Sequence, residues 1–267
     1  MNLASAETLE SLSGLLEGDH GSICLTERGD ITPVKRLAIT YPCIDPFRHP
    51  NFRIFGCMNP PNDVGKRELP PGIRNRFTEF YVDELENPED LGILVSLQLK
   101  NVVPRPPTTE IVTFYLRARE LSNTVLSDGA NQRPKFSLRT LTRMLEFSRM
   151  TVSMFGFARS LYEGACMSFL TLLDGNSVPI MKNLINEFFM KGLSEKTLKK
   201  APACPGSDYV KFEQFWMKQG PENVVEDSKY IITHTIQEQL RNLCRVVLTG
   251  KYPVLLQGPT SSGITCF

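Results

Sequence analysis

The chain has 267 residues, of which 41% are hydrophobic, and 30 basic side chains nearly balance 29 acidic ones. This length is sufficient for one large domain or two small ones, and the composition is typical of a soluble globular protein. The net charge of +1 excludes a general electrostatic attraction of the whole chain to nucleic acid or to an anionic membrane. We expect no signal peptide, since the first residues are neither basic nor apolar enough, and no apolar run that could span a membrane.

Seven cysteines and three histidines are scattered along the chain. The cysteines form no C-x-x-C pair and their number is odd, so we expect neither a structural zinc site nor a disulfide framework. This cysteine pattern favours a reducing compartment, either the cytosol or the nucleus.

The first predicted elements are those of an α/β domain. Apolar residues at helical spacing predict a helix over 5–16, and short β-prone stretches over 21–47 are consistent with a hairpin-like insertion. Residues 52–58 are predicted as a buried strand that ends at Asn59, where a proline follows. A proline-rich loop leads from there to a second predicted strand over 77–82.

From Asn87 onward the pattern is mostly helical. Asn87 is followed by a proline and two acids, which is a typical helix start. We expect helices at about 88–100, 108–121, 137–148, 158–173, 179–191 and 235–249. A linker with one strand over 209–217 is predicted between the last two of them. Residues 254–257 are predicted as a short buried strand that leads into a glycine loop.

The C-terminal residues match most of a phosphate-binding pattern. Gly258, Gly263 and Thr265 occupy the fixed positions of G-x-x-x-x-G-K-[ST], but Ile264 stands at the lysine position. Backbone amides of such a loop hold phosphate oxygens, and Thr265 would bind Mg²⁺. The alternative is an ordinary glycine turn after a strand. The loop residues predicted to contact a nucleotide are Gly258, Pro259, Thr260, Ser261, Ser262, Gly263 and Thr265.

Two earlier segments also have side chains suited to phosphate chemistry. Arg74 and Arg76 follow a proline turn and can neutralise charge at the γ-phosphate of a neighbouring site, although a solvated pair is the alternative. Asn59, at the predicted strand end, can orient an attacking water, or it simply forms an Asn-Pro turn.

A pair of arginines lies on one face of the predicted helix over 137–148. Arg139 and Arg143 are four residues apart, opposite a stripe of leucines, and can reach a phosphate from that face. The alternative is a solvated face on which Glu146 is their partner.

A cluster of aromatic residues raises the question of RNA binding. Trp216, with Phe212 and Phe215, can be a stacking platform for bases, with lysines over 196–200 nearby. The alternatives are core packing for the aromatic residues and a solvated loop for the lysines. We do not expect direct RNA binding.

Several segments have a family-specific sequence. The longest is 59–77, which contains DVGKR at 63–67 and LPPGIRNRF at 69–77. Others are SLRTL at 137–141, SLYEG at 160–164, YPVLLQG at 252–258 and NLASAETL at 2–9. Together they resemble the midasin family, dynein-related AAA+ ATPases of large ribosomal subunit assembly. The resemblance covers nearly the whole chain and is weakest at about 31–47 and 192–208.

This resemblance implies a mixed, helix-rich fold in which a partial AAA+ α/β core is followed by an α-helical lid. The regions that it implies are the end of one core at 1–86, the lid at 87–191, a linker with a short strand at 192–234, and the start of the next module at 235–267. Asn59 then matches the sensor-1 position and Arg139 the sensor-2 position. Arg76 matches the arginine finger, with Arg74 as second candidate.

The same resemblance implies the activity of a complete parent protein. ATP and Mg²⁺ are the implied cofactors, and the implied partners are neighbouring modules of a ring and pre-60S particles with their assembly factors, in the nucleolus and nucleoplasm. The Walker B pair would lie before Met1 and Ile264 replaces the Walker A lysine. We therefore expect no ATP hydrolysis by this chain alone. The alternative function is a non-catalytic helical module that binds ribosome-assembly factors.

Overall fold

The computed structural model describes residues 53–60, 67–222 and 231–258, together with the single positions Ala4, Leu9, Ser13 and Leu16. The chain divides into two compact units, Met1–Asp83 and Glu84–Phe267. Among the described residues, no helix combines the length and the apolar character that a membrane span requires.

The first unit has one short helix in its described part, α1 at Pro71–Arg74. A proline at the start of a helix is well tolerated, because the first helical amide has no partner within the helix. Ile73 of α1 packs in a small apolar cluster with Leu9, Leu69, Ala4, Leu16 and Phe77. Most of the predicted helix over 5–16 and all of the predicted hairpin over 21–47 lie outside the described residues.

The second unit consists mainly of helices. In its described part these are α2 at Pro88–Leu99, α3 at Thr108–Thr124, α4 at Leu138–Phe155, α5 at Phe157–Phe169, α6 at Ser177–Phe189, α7 at Glu195–Lys199 and α8 at His234–Thr249. Strands β1 at Tyr209–Phe212 and β2 at Phe215–Lys218 pair antiparallel. The mixed, helix-rich fold class is confirmed.

Local sequence signals explain where several helices begin and end. The side chain of Asn87 caps α2 by accepting hydrogen bonds from the amides of Glu89 at 2.8 Å and Asp90 at 3.3 Å. Gly250 ends α8 in the left-handed conformation, with φ of 57°. These signals are local, so they could be read from the sequence.

The core of the second unit lies between α2, α3, α4, α5 and α6. Helices α4 and α5 form a hairpin around Gly156, whose φ of 76° favours glycine. They approach closely at Gly164, where an added Cβ would lie 2.7 Å from the carbonyl oxygen of Met144. Phe114 of α3 is fully buried and makes edge contacts with Phe169 and Phe189, at ring-centroid distances of 5.0 and 4.8 Å.

Ion pairs fasten α8 to the rest of the second unit. Arg245 of α8 donates to Glu163 of α5 at 2.7 Å, and the two side chains are only 7% and 1% exposed. Arg241 of α8 contacts Glu213, in the turn between β1 and β2, at 2.7 and 3.0 Å. A buried carboxylate such as that of Glu163 requires a paired cation, because an uncompensated buried charge is costly.

None of the predicted strands over 52–58, 77–82 and 254–257 is formed by its described residues. Phe55, Phe80 and Leu255, one in each segment, are 93%, 85% and 89% exposed. The prediction of strands was wrong here because a strand requires neighbours that satisfy its backbone hydrogen bonds. Among the described residues the only paired strands are β1 and β2, and one isolated bridge joins Asp128 and Leu173.

Two other predictions differ from the structure in detail. The predicted single strand over 209–217 is a hairpin whose turn contains Glu213, with φ of 48°. Helix α4 continues to Phe155, beyond the predicted end at 148. Ser148 and Thr151 remain helical there because their hydroxyls donate to carbonyl oxygens four residues earlier, at 2.8 and 2.9 Å.

Candidate functional site

Arg139 lies in the first turn of α4 and is exposed. It makes no hydrogen bond, ion pair or ring contact with any residue that the structure describes. Leu141 and Met144, on the opposite face of α4, are fully buried. The helix is therefore held from its inner side, while the guanidinium of Arg139 remains available to an anion.

The same outer face of α4 binds the segment that follows α8. The carboxylate of Glu146 accepts hydrogen bonds from the ammonium of Lys251 and the phenol of Tyr252. The guanidinium of Arg143 lies over the ring of Tyr252, 4.8 Å from its centroid. We call Arg143, Glu146, Lys251 and Tyr252 the α4 clamp.

The clamp alters the pKa values of its acidic members. Hydrogen bonds from Lys251 and then from Tyr252 hold the pKa of Glu146 below its usual 4.5. Burial, and then the carboxylate of Glu146, raises the pKa of Tyr252 to about 12. At neutral pH the carboxylate is therefore charged and the phenol is a neutral donor, which is the combination that the hydrogen bonds require.

Sequence reasoning missed the clamp. Its alternative was a solvated face on which Glu146 is the partner of Arg139 and Arg143. In the structure, Lys251 and Tyr252 donate to Glu146 instead. A guanidinium nitrogen of Arg149 also lies 3.9 Å from the Glu146 carboxylate. Its partners lie more than a hundred residues later, so no helical spacing rule relates them. The only available signal was Tyr252, the first residue of the family-specific segment over 252–258, with Lys251 directly before it.

The predicted phosphate loop is described only at its first residue. Gly258 lies in exposed, irregular chain after Tyr252. The other predicted loop residues, Pro259, Thr260, Ser261, Ser262, Gly263 and Thr265, lie outside the described part of the chain. Their binding of nucleotide and Mg²⁺ stays a prediction.

The two candidate finger residues belong to the first unit and have partners within it. Arg74 forms a two-point salt bridge with Glu79 at 2.6 and 2.8 Å, and both side chains are nearly half exposed. Arg76 donates to the carbonyl oxygen of Ser13 at 2.9 Å. Water screens an exposed ion pair strongly, so Arg74 can exchange Glu79 for a phosphate at small cost.

Asn59 is exposed and lies in irregular chain, not at the end of a strand. The predicted buried strand that should position its side chain is not formed among residues 53–58. Its assignment to the sensor-1 position stays a prediction.

The aromatic residues of the β-hairpin pack instead of forming an exposed platform. Phe215 is fully buried, and its ring centroid lies 6.0 Å from that of Phe155. Trp216 is half-buried, and its indole N–H donates to the carbonyl oxygen of Pro202 at 3.0 Å. The packing alternative is therefore confirmed for Phe215, and these contacts do not support base stacking.

Two neighbouring clefts, of about 520 and 320 Å³, open beside α8. Both are lined by Lys199, Gln214 and Arg241. Their arginines are already paired, Arg241 with Glu213 and Arg245 with Glu163. Neither arginine can therefore bind a nucleotide without breaking its ion pair.

Comparisons with known proteins agree with the resemblance. Residues 90–192, which include Arg139, match the family model described as the Midasin AAA lid domain. The chain is 48% identical to midasin of Dictyostelium discoideum and 28% identical to midasin of Giardia intestinalis, in each case over 99% of its length. It spans only 4% and 6% of the length of these two relatives.

Proposed function

Since this chain belongs to the midasin family, we propose that it contributes a nucleotide-sensing lid to an AAA+ ATPase ring. The observation that carries the proposal is Arg139, an exposed guanidinium without a partner in the described residues, on a helix whose opposite face is buried. The helix fixes the backbone of Arg139, and its guanidinium breaks no ion pair when it binds a phosphate.

The remaining predicted site residues have supporting roles in this proposal. Arg76, or Arg74, neutralises charge at a neighbouring nucleotide, and Asn59 orients the attacking water. Gly258 begins the loop that holds the phosphates of the next site, where Thr265 is the residue for Mg²⁺. When ATP is bound, the complete ring transfers its γ-phosphoryl group to water.

We further propose that the parent ring uses this hydrolysis to remove assembly factors from pre-60S particles in the nucleus. The family-specific segment over 59–77 and the 48% identity to a midasin support this role. Membranes and direct RNA contact have no part in the proposal, and the buried Phe215 argues against base stacking.

The proposal is tested by Arg139→Ala in the complete ring protein that carries this segment. We expect ATP turnover to fall at least about tenfold, because removal of one positioned donor at a phosphate commonly costs that much or more. Arg105→Ala, at an exposed arginine outside α4, is the matched control and should leave turnover unchanged. Equal turnover in wild type and Arg139→Ala would exclude a sensing role.

For the chain alone we expect no ATP hydrolysis, because Ile264 replaces the lysine of the phosphate loop. Steady-state phosphate release by the purified 267-residue chain should equal the buffer rate. Turnover above that rate, lost on Arg76→Ala, would contradict the expectation.

A second candidate function is a non-catalytic module that binds assembly factors. It is favoured by Ile93 and Leu97, which are 60% and 68% exposed and one turn apart on α2, opposite the buried Leu91 and Val95. If this function is correct, large-subunit assembly factors should co-purify with the chain from nuclear extract and be lost on Ile93→Ser. Recovery of none of them would exclude it.

A further inference from the structure

The α4 clamp joins two segments that the proposed function assigns to different nucleotide sites. Arg139, in the first turn of α4, belongs to the site that the lid senses. Lys251 and Tyr252 begin the segment that leads to Gly258, the first residue of the next phosphate loop. The clamp therefore connects the two sites through the described residues of one chain.

Arg139, Arg143 and Glu146 lie on one stripe of α4. At 3.6 residues per turn their directions around the helix axis fall within about 60° of one another, and Arg139 and Glu146 are about 10 Å apart along that axis. Because the inner face of α4 is packed into the core, this short helical span is rigid. A displacement of Arg139 thus displaces Glu146 by a similar amount.

The segment after α8 is constrained up to the clamp and not beyond it. Arg245 and Arg241 fasten α8 itself, and Gly250 ends the helix. Lys251 and Tyr252 then make the last polar contacts before Gly258 in the described part of the chain. Residue 253 is a proline, which disfavours a helical backbone conformation at Tyr252. At most about 20 Å of chain separates Tyr252 from Gly258.

We propose that Glu146 is a positioning residue. By binding Lys251 and Tyr252, it makes residues 251–258, which lead into the next phosphate loop, move together with the sensing helix α4. This inference rests on the proposed function, which assigns Arg139 and Gly258 to two different nucleotide sites. The clamp itself is independent of nucleotide, so it can be tested without any.

The test is tryptic cleavage after Lys251 in the full 267-residue chain, quantified by mass spectrometry of the peptide that ends there. Trypsin needs a free lysine side chain, so cleavage follows the population in which the clamp is open. We expect Glu146→Ala to accelerate this cleavage about fivefold, as loss of a partly buried ion pair predicts. Tyr252→Phe should accelerate it less, because Lys251 keeps its carboxylate.

Two control variants separate the clamp from general effects. Glu195→Ala removes an exposed carboxylate from the Lys199 pair at 3.9 Å, and Arg139→Ala changes the same face of α4 outside the clamp. Neither should change cleavage after Lys251. Thermal unfolding by circular dichroism identifies a variant with a destabilised fold, and Glu146→Gln then replaces Glu146→Ala. Equal cleavage in wild type and all Glu146 variants would overturn the inference, whatever Arg139→Ala does to turnover.

The coupling to the nucleotide is tested in the complete ring protein. Cleavage after Lys251 should be equally slow with ADP and with a non-hydrolysable ATP analogue, since the segment moves with α4 and does not separate from it. Faster cleavage in one nucleotide state would show that the clamp opens and would overturn rigid coupling. Failure of the proposed function is distinct, because it appears as unchanged turnover in Arg139→Ala.

Discussion

The helical core of the second unit and the strand-like apolar segments both contain large apolar side chains, but in opposite environments. In α2–α6 the large apolar side chains are buried, as Phe114 and Leu141 illustrate. In 53–58, 77–82 and 254–257 comparable side chains, such as Phe80 and Leu255, are exposed. A helix satisfies its own backbone hydrogen bonds and needs only one packing face, whereas a strand needs partners on its edges.

This difference indicates which part of the chain is stabilised by packing between its own described residues. The lid contains every element that its core requires within the described residues. The strand-like segments are apolar along lengths typical of buried parallel strands, and the residues that would pair with them are not among those described.

The largest effect should distinguish two phenylalanines, one from each region. Phe114→Ala removes the centre of the aromatic cluster and should lower the free energy of unfolding by about 3–5 kcal/mol. Phe80→Ala, at a residue 85% exposed, should change it by less than about 0.5 kcal/mol. Urea unfolding followed by far-ultraviolet circular dichroism measures both, and similar losses would contradict the comparison.

The ion pair that fastens α8 should give the next largest effect. Arg245→Ala leaves Glu163 buried, with only Arg159 nearby at 3.7 Å, and should cost about 3 kcal/mol of unfolding free energy. Lys199→Ala removes an exposed pair instead and should cost less than about 0.5 kcal/mol. If the two variants unfold at the same urea concentration, the ion pair between Arg245 and Glu163 does not fasten α8 to the rest of the unit.

The close approach of α4 and α5 should give a smaller effect. Gly164→Ala places a methyl group against the Met144 carbonyl oxygen and should destabilise the fold by a net 1–2 kcal/mol, roughly, after the gain in helix propensity. Gly129→Ala has no atom within 4 Å of the added carbon and is the control. An unchanged melting temperature in Gly164→Ala would show that the helices are farther apart.

The smallest effect concerns pH. Arg241 lowers the pKa of Glu213, so the pair stabilises the fold above the usual pKa of 4.5, and this contribution is lost as pH falls through the lowered value. The difference in unfolding free energy between wild type and Glu213→Gln should be less than about 1 kcal/mol at pH 7. It should therefore disappear once the pH lies below the lowered pKa of Glu213. A difference that grows below pH 4.5 would contradict the sign of the shift.

Much of the helical region could be predicted from the sequence because its signals are local. Asn87 and Gly250 mark helix ends through capping and backbone preference, and each lies where the predicted helix begins or ends. The end of α4 was missed because Ser148 and Thr151 are polar and yet compatible with a helix. The strands over 52–58, 77–82 and 254–257 were predicted from their apolar and β-prone residues. Residue types alone do not show whether another strand lies beside them to accept their hydrogen bonds.

The candidate site shows the same division. Arg139 was predicted as a candidate from its helical face and from the resemblance of a short motif, both of which are local, and its role stays a prediction. The contacts of Glu146 with Lys251 and Tyr252 join distant parts of the sequence, so only a three-dimensional structure could show them. The ion pairs of α8 with Glu163 and Glu213 were missed for the same reason.

The most direct measurement of the central claim is hydrogen exchange of the 267-residue chain, resolved by peptide mass spectrometry. Slow exchange, close to the global unfolding limit, is expected for core amides of α3, α4 and α5. Unprotected exchange is expected for 78–82 and 254–257, whose described residues form no strand. Slow exchange in those two segments would show that they are paired within this chain and would contradict the distinction between the packed helices and the exposed apolar segments.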